Sequence, residues 1–170
     1  MVYGCSVSPN KMGIGNISDL IRMENTICKN KLSEVTSNIP FDRMSFTLEH
    51  LCRIHNYLFG DLYYDAGVIR EVSDRQLVLV KRALNLLSGV IESESPSRIV
   101  DTVSQNIYRI YSAQLFCDGN TRTSFVFLGQ ILRYKELDFD YDFYHGESNP
   151  KDERNIREKI KMLFERKDEK

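Results

Sequence analysis

The stretch Gln114-Leu115-Phe116-Cys117-Asp118-Gly119-Asn120-Thr121-Arg122-Thr123-Ser124-Phe125 is a short polar loop between two strongly apolar segments. Upstream, Ile99, Val103, Ile107 and Ile110 or Tyr111 recur at helical spacing, with Ser97 after Pro96 near the start. Downstream, Arg122 to Tyr134 holds Phe125, Val126, Phe127, Leu128, Ile131 and Leu132. It is apolar nearly all round, which predicts the central, most buried helix of the fold. The loop offers a carboxylate (Asp118), a glycine for close backbone approach (Gly119), an amide (Asn120) and a guanidinium (Arg122). At the start of a helix, where N–H groups are unpaired and the dipole favours negative charge, that set suits a phosphate-bearing ligand. Asp118 is a candidate ligand for Mg²⁺, which usually takes one or two carboxylates together with phosphate oxygens. Arg122 can clamp a phosphate through two parallel hydrogen bonds. Local chemistry alone allows a plainer role, because Asp-Gly-Asn is also a good turn and a good helix cap.

The rest of the chain reads as helices. A short one starts at Ser18, as N-cap, and runs through Ile21 to Asn25. Phe46, Leu48, Leu51, Ile54, Leu58 and Phe59 mark another, capped by Thr47 or Ser45, and roughly Leu62 to Arg70 a shorter one. Leu77, Val80, Leu84, Leu87 and Ile91 form one face of a helix capped by Asp74; Gln76 to Val80 is locally strand-like, but the spacing carries on to Ile91. An amphipathic helix over about 152–166, with Ile156, Ile160 and Leu163 inward, follows Pro150. Residues 1–16 are rich in Gly, Ser, Pro and Asn and read as a loose leader, and the charged run Glu165 to Lys170 as a fraying end. The expectation is an all-α fold in one domain spanning residues 1–170.

Bulk properties exclude several classes. The 170 residues are 42% hydrophobic and carry a net charge of -1 with the basic residues dispersed, so nucleic acid and anionic membranes are not expected partners. Cys5, Cys28, Cys52 and Cys117 form no Cys-x-x-Cys pair, and there is no secretion signal or membrane-length apolar run. The chain reads as cytoplasmic and reduced.

The loop resembles the signature of the Fic (Fido) family, His-Pro-Phe-x-(Asp/Glu)-Gly-Asn-Gly-Arg-x-x-Arg. Two further segments add to the resemblance in the expected order. Lys29-Asn30-Lys31-Leu32 is similar to a tetrapeptide near the start of many such domains, and Leu51 to Arg70 is similar to the family's Ile-His, Leu-Phe-x-Asp and Ala-Gly-x-(Ile/Tyr)-Arg hallmarks. The resemblance covers about 26–137. It implies an all-α fold with at most a short β-hairpin, the flap, and transfer of AMP from ATP, with Mg²⁺, to a Ser, Thr or Tyr hydroxyl of a target protein. It also implies roles. Phe116 anchors the loop, Asp118 holds Mg²⁺, Gly119 and Asn120 form the anion hole beside Thr121, and Arg122 supports the phosphates.

The departures bear on activity. Gln114 stands where the family has its proton-accepting histidine, and an amide cannot take a proton near neutral pH. Losing such a base costs about 10²–10⁴-fold. Leu115 replaces the family proline, Thr121 its second glycine and Phe125 its last arginine; Phe125 is expected in the core. The segment Glu71 to Arg75 is short for a flap that would pair with a strand of the target. Glu24-Asn25 matches the second half of the family's inhibitory (Ser/Thr)-x-x-x-Glu-(Gly/Asn) helix, but Leu20 breaks its first half; the plainer reading is a charged surface position. His55 is expected to be a hydrogen-bonded core residue, His50 and His145 to be exposed. Cys117, beside a helix N-terminus, stands where a thiol pKa is lowered; the plainer reading is that it only fills the family's variable position. Three functions are compatible with these residues: an impaired transferase, a non-catalytic nucleotide- or protein-binding regulator, and a homologue without a ligand.

Overall fold

The computed structural model describes residues 7–137, 139 and 152–168; His145, Pro150 and Cys5 lie outside them. Among the described residues seven α-helices run in the order α1 (Ile17–Leu32), α2 (Val35–Asn38), α3 (Leu48–Phe59), α4 (Asp74–Val90), α5 (Pro96–Ser112), α6 (Asn120–Tyr134) and α7 (Glu153–Asp168), with a 3₁₀ turn at Arg43–Ser45. No strand occurs among the described residues beyond an isolated antiparallel bridge between Asn10 and Tyr63, so no β-hairpin flap is formed there.

Helix α6 is the hub. Residues Thr123 to Leu132 of this helix are all buried, which is what an all-round apolar helix requires. It packs against α3 and α5; α3 also meets α1, and α5 is covered by α4 and α7. One core runs through all of them, from Leu20 and Cys28 on α1 to Ile156 and Ile160 on α7. Four helices start on side-chain caps: Asn16 for α1, Thr47 for α3, Ser73 for α4 and Ser95 for α5. Ser73 and Gln76 form a reciprocal capping box, and Pro96 occupies the first turn of α5, where its missing N–H costs nothing.

Several expectations need correction. The first helix is sixteen residues long and begins on Asn16, so Ser18 lies inside it. Asp74 is likewise within its helix, behind the cap Ser73. Leu62 to Arg70 is a chain of turns. Gly67 there has a φ of +82°, and the Leu62 carbonyl and the Arg70 N–H bond to Lys11 and Leu115 rather than along a helix. The leader is tied down from Ser8 to Ile14. Helix α7 continues through Asp168, beyond the start of the charged run at Glu165. His50 is buried, not exposed, and its Nε2 lies 2.8 Å from Gln130 Oε1 on α6.

Candidate active site around the α5–α6 loop

The loop begins where α5 stops. Gln114 takes a φ of +47°, left-handed for a residue with a side chain, and its amide Nε2 donates to the Tyr111 carbonyl at 2.8 Å. Arg70 holds the same corner from outside, its Nε donating to the Gln114 carbonyl and its backbone N–H to the Leu115 carbonyl at 2.9 Å. Phe116 is then buried. Asn120 fixes the loop's width: its Oδ1 accepts from the Phe116 N–H at 2.9 Å, and its Nδ2 donates to the Phe116 carbonyl at 2.7 Å.

His55 on α3 braces the far side. The Gly67 N–H donates to His55 Nδ1 at 2.8 Å, so the ring proton resides on Nε2, which donates to the Asp118 carbonyl at 3.0 Å. The ring stacks on Phe116 with centroids 4.0 Å apart. Burial lowers its pKa, so it is neutral near pH 7 and positions the loop. Gly119, at φ +71°, is the N-cap of α6. A Cβ there would fall 2.3 Å from the Phe59 ring, so this position admits only glycine without displacement.

The loop residues singled out in the sequence have partners that the sequence did not reveal. No side chain caps α6, in contrast to α1, α3, α4 and α5, so its first N–H groups face the loop without an intrahelical acceptor. Asp118 is half-buried, and its carboxylate accepts from the Ser8 hydroxyl. Burial above all, then Glu24 and Asp65, pushes its pKa up; the Ser8 hydrogen bond and Arg122 oppose this. Arg122 reaches back to α1: Nη1 donates to Glu24 Oε2 at 2.7 Å and Nη2 to Asn25 Oδ1 at 2.6 Å, with the guanidinium 5.9 Å from the Phe59 ring centroid. Glu24 is therefore not a surface charge. It is 8% exposed, and its other oxygen accepts from the Tyr63 hydroxyl at 2.6 Å. Thr121 stands half-buried between Asn120 and Arg122. Phe125 is buried in the core, its ring tilted against that of Phe139 with centroids 5.0 Å apart.

Cys117 is exposed, but its thiol pKa is raised, chiefly by a hydrogen bond to Asp65, then by burial and by the charges of Asp65 and Asp118, against Arg70. Cys28, behind Arg122, is pushed up to about 12 by burial. Both thiols are therefore protonated and weakly nucleophilic near neutrality. No group of three or more His, Cys, Asp or Glu is placed to hold a metal among the described residues. Asp118, one residue before the N-cap of α6, still fits Mg²⁺, which keeps several waters and can take one carboxylate together with phosphate oxygens. No helix of the described residues is long and apolar enough to cross a membrane.

Known structures share this architecture. BepC, a VirB-translocated effector from Bartonella tribocorum crystallised with AMPPNP, matches with a TM-score of 0.75 at 14% identity, over 95% of this chain and 94% of that one. The N-terminal Fic domain of a VirB-translocated Bep effector from Bartonella quintana, crystallised with ADP, matches with a TM-score of 0.74 at 16% identity, over 95% of this chain and 92% of that one. A second structure of a Bartonella quintana Bep Fic domain gives a TM-score of 0.70 at 16% identity, over 95% and 90%. At these identities the likeness carries the fold. No curated protein matches the sequence. The model of the Fic/DOC family matches residues 45–132, just over half of the chain and including the whole α5–α6 loop, and this chain belongs to that family.

Proposed function

We propose that this chain binds a nucleoside triphosphate of the ATP type at the Asp118–Arg122 loop and has lost efficient transfer of AMP to target proteins. The observation that carries this reading is Gln114: a non-titrating amide, turned back onto the Tyr111 carbonyl, stands where the family resemblance places its proton acceptor. Two structural relatives hold AMPPNP and ADP, which supports a nucleotide as the ligand. The shared core of the helices supports treating residues 1–170 as one Fic-like domain.

In this reading the N–H groups at Asn120 and Thr121 receive phosphate oxygens, and Gly119 keeps the backbone clear of a side chain. Mg²⁺ on Asp118, when bound, would neutralise phosphate charge and draw electrons from phosphorus. Arg122 supplies a fixed guanidinium, for which phosphate competes with Glu24. What remains for a Ser, Thr or Tyr hydroxyl of a protein target is positioning and electrostatics, slower by about 10²–10⁴-fold than with a base.

Calorimetric titration of ATP and AMP, with and without Mg²⁺, tests the reading. Heat with ATP that needs Mg²⁺ and disappears in Asp118→Ala and Arg122→Ala is the expected result. No heat at millimolar nucleotide overturns it. Gln114→His then separates an impaired transferase from a pure binder. Robust labelling of proteins in that variant means only the base was missing, and none means the loop serves binding.

A further inference from the structure

Helix α4 has one buried side and one open side. It packs chiefly against α5, and Val80, Ala83, Leu84, Leu87 and Val90 are buried. On the open side Val78, Leu79 and Leu86 are 62%, 48% and 43% exposed. Arg75, Leu79, Arg82 and Leu86 follow one another by four, three and four residues. They therefore form a single stripe about three turns long, with Val78 and Lys81 beside it. Arg75, Lys81 and Arg82 are exposed and make no ion pair among the described residues. They outnumber the single carboxylate of the helix, Asp74. Their placement does not serve the helix itself. Arg75 lies in the first turn, where the dipole disfavours a cation, and the last turn holds no basic residue. The start of α4 meets the candidate site: Gln76 Nε2 donates at 3.3 Å to the carbonyl of Ala113, the residue before Gln114.

We propose that the open face of α4 is a docking surface for an acidic amphipathic helix of a partner protein. Carboxylates seven residues apart on that helix meet Arg75 and Arg82, and its aliphatic side chains cover Leu79 and Leu86. The stripe itself argues against other occupants. A second copy laid parallel along it would set Arg75 and Arg82 against their own images. Laid antiparallel, it would set each arginine against a leucine, burying cations without a counter-charge. A lipid surface fits less well: α4 has no aromatic residue, and the chain as a whole carries a net charge of -1. An acidic helix satisfies both the cations and the aliphatic residues between them, and its end lies next to the corner at Gln114. This surface needs no nucleotide, so it stands apart from the reading of the loop.

The test is fluorescence anisotropy of a synthetic helical peptide of about 20 residues, long enough to form a helix, titrated with the full chain. One face of the peptide alternates leucine and glutamate at three- and four-residue spacing. Two control peptides carry glutamine or lysine in place of the glutamates. The expected result is saturable binding of the glutamate peptide, weakened about tenfold or more with glutamine, in Leu79→Ser, and by added salt. The double variant Arg75→Glu, Arg82→Glu should reverse the preference and take the lysine peptide. Equal binding of the glutamate and glutamine peptides, or binding indifferent to these variants, overturns the proposal, and the peptide comparison needs no variant to fold. Sedimentation of the chain with phosphatidylserine vesicles that is lost in the double variant overturns it in favour of a membrane. A dimer in solution that Leu79→Ser dissociates overturns it in favour of a second copy.

Discussion

Glycine 119 and glutamate 24 show how single positions govern the site. Gly119 combines a left-handed backbone with a Cβ position 2.3 Å from Phe59. Gly119→Ala should lower stability by about 1–3 kcal/mol from backbone strain alone, read from the urea midpoint. Glu24 holds Arg122 through one oxygen and Tyr63 through the other. Glu24→Gln keeps an acceptor for Tyr63 but removes the charge that competes with phosphate. ATP should then bind about tenfold more tightly, since a hydrogen bond to a charged group is worth roughly 1.5–3 kcal/mol, and calorimetry would read it. Glu24 also shows what spacing hides. Its neighbours in sequence are those of an ordinary amphipathic helix, and its partners lie 39 and 98 residues away.

Helix α6 carries both the site and the core, which limits how the site can be repaired. Phe125 occupies the position of the family's last arginine, yet it is buried and packed near Phe139. Phe125→Arg should therefore destabilise the fold by about 3–5 kcal/mol, as an uncompensated buried charge does, and thermal unfolding would show it. The α3–α6 contact gives a pH dependence. Burial lowers the pKa of His50 from its ordinary 6.5, so below pH 6.5 the unfolded chain binds the proton more readily than the folded one. Stability contributed by neutral His50 is present above 6.5 and is lost as pH falls through that window. In His50→Gln the decline of stability on acidification should be shallower, as measured by denaturation at a series of pH values. The types of α3, α4, α5 and α6 were legible because their apolar spacing is long and regular. Their exact starts were less so: the Ser73–Gln76 capping box was visible in the sequence but competes with Asp74 as a local cap.

Across the molecule, stability and site are joined through α5, which meets α4, α6 and α7. Ile156 and Ile160 of α7 are 2% and 0% exposed. Burying each side chain is worth about 1.5–3 kcal/mol, so removal of α7 should cost about 3–6 kcal/mol, checked by chemical denaturation of the truncated chain. The leader from Ser8 to Ile14 is not loose, and the Leu62–Arg70 segment is not helical. Both are held by long-range backbone hydrogen bonds, Lys11 to Leu62 and Arg70 to Leu115, that leave no periodic trace in sequence.

Helical periodicity, the apolar run after Arg122 and the ordered Lys-Asn-Lys-Leu, Ile-His and Phe-x-Asp-Gly-Asn matches were enough to establish an all-α Fic-like chain, with Gln114 at the place where the resemblance puts the family's histidine. These are local patterns, and local patterns are written directly in residue order. The environment of that loop is different in kind. The pairing of Arg122 with Glu24, of Asp118 with Ser8, and of His55 with Gly67 and the Asp118 carbonyl joins residues from 12 to 110 positions apart. Such contacts depend on where packed helices bring polar side chains within about 3 Å of one another, and only the folded core sets that distance.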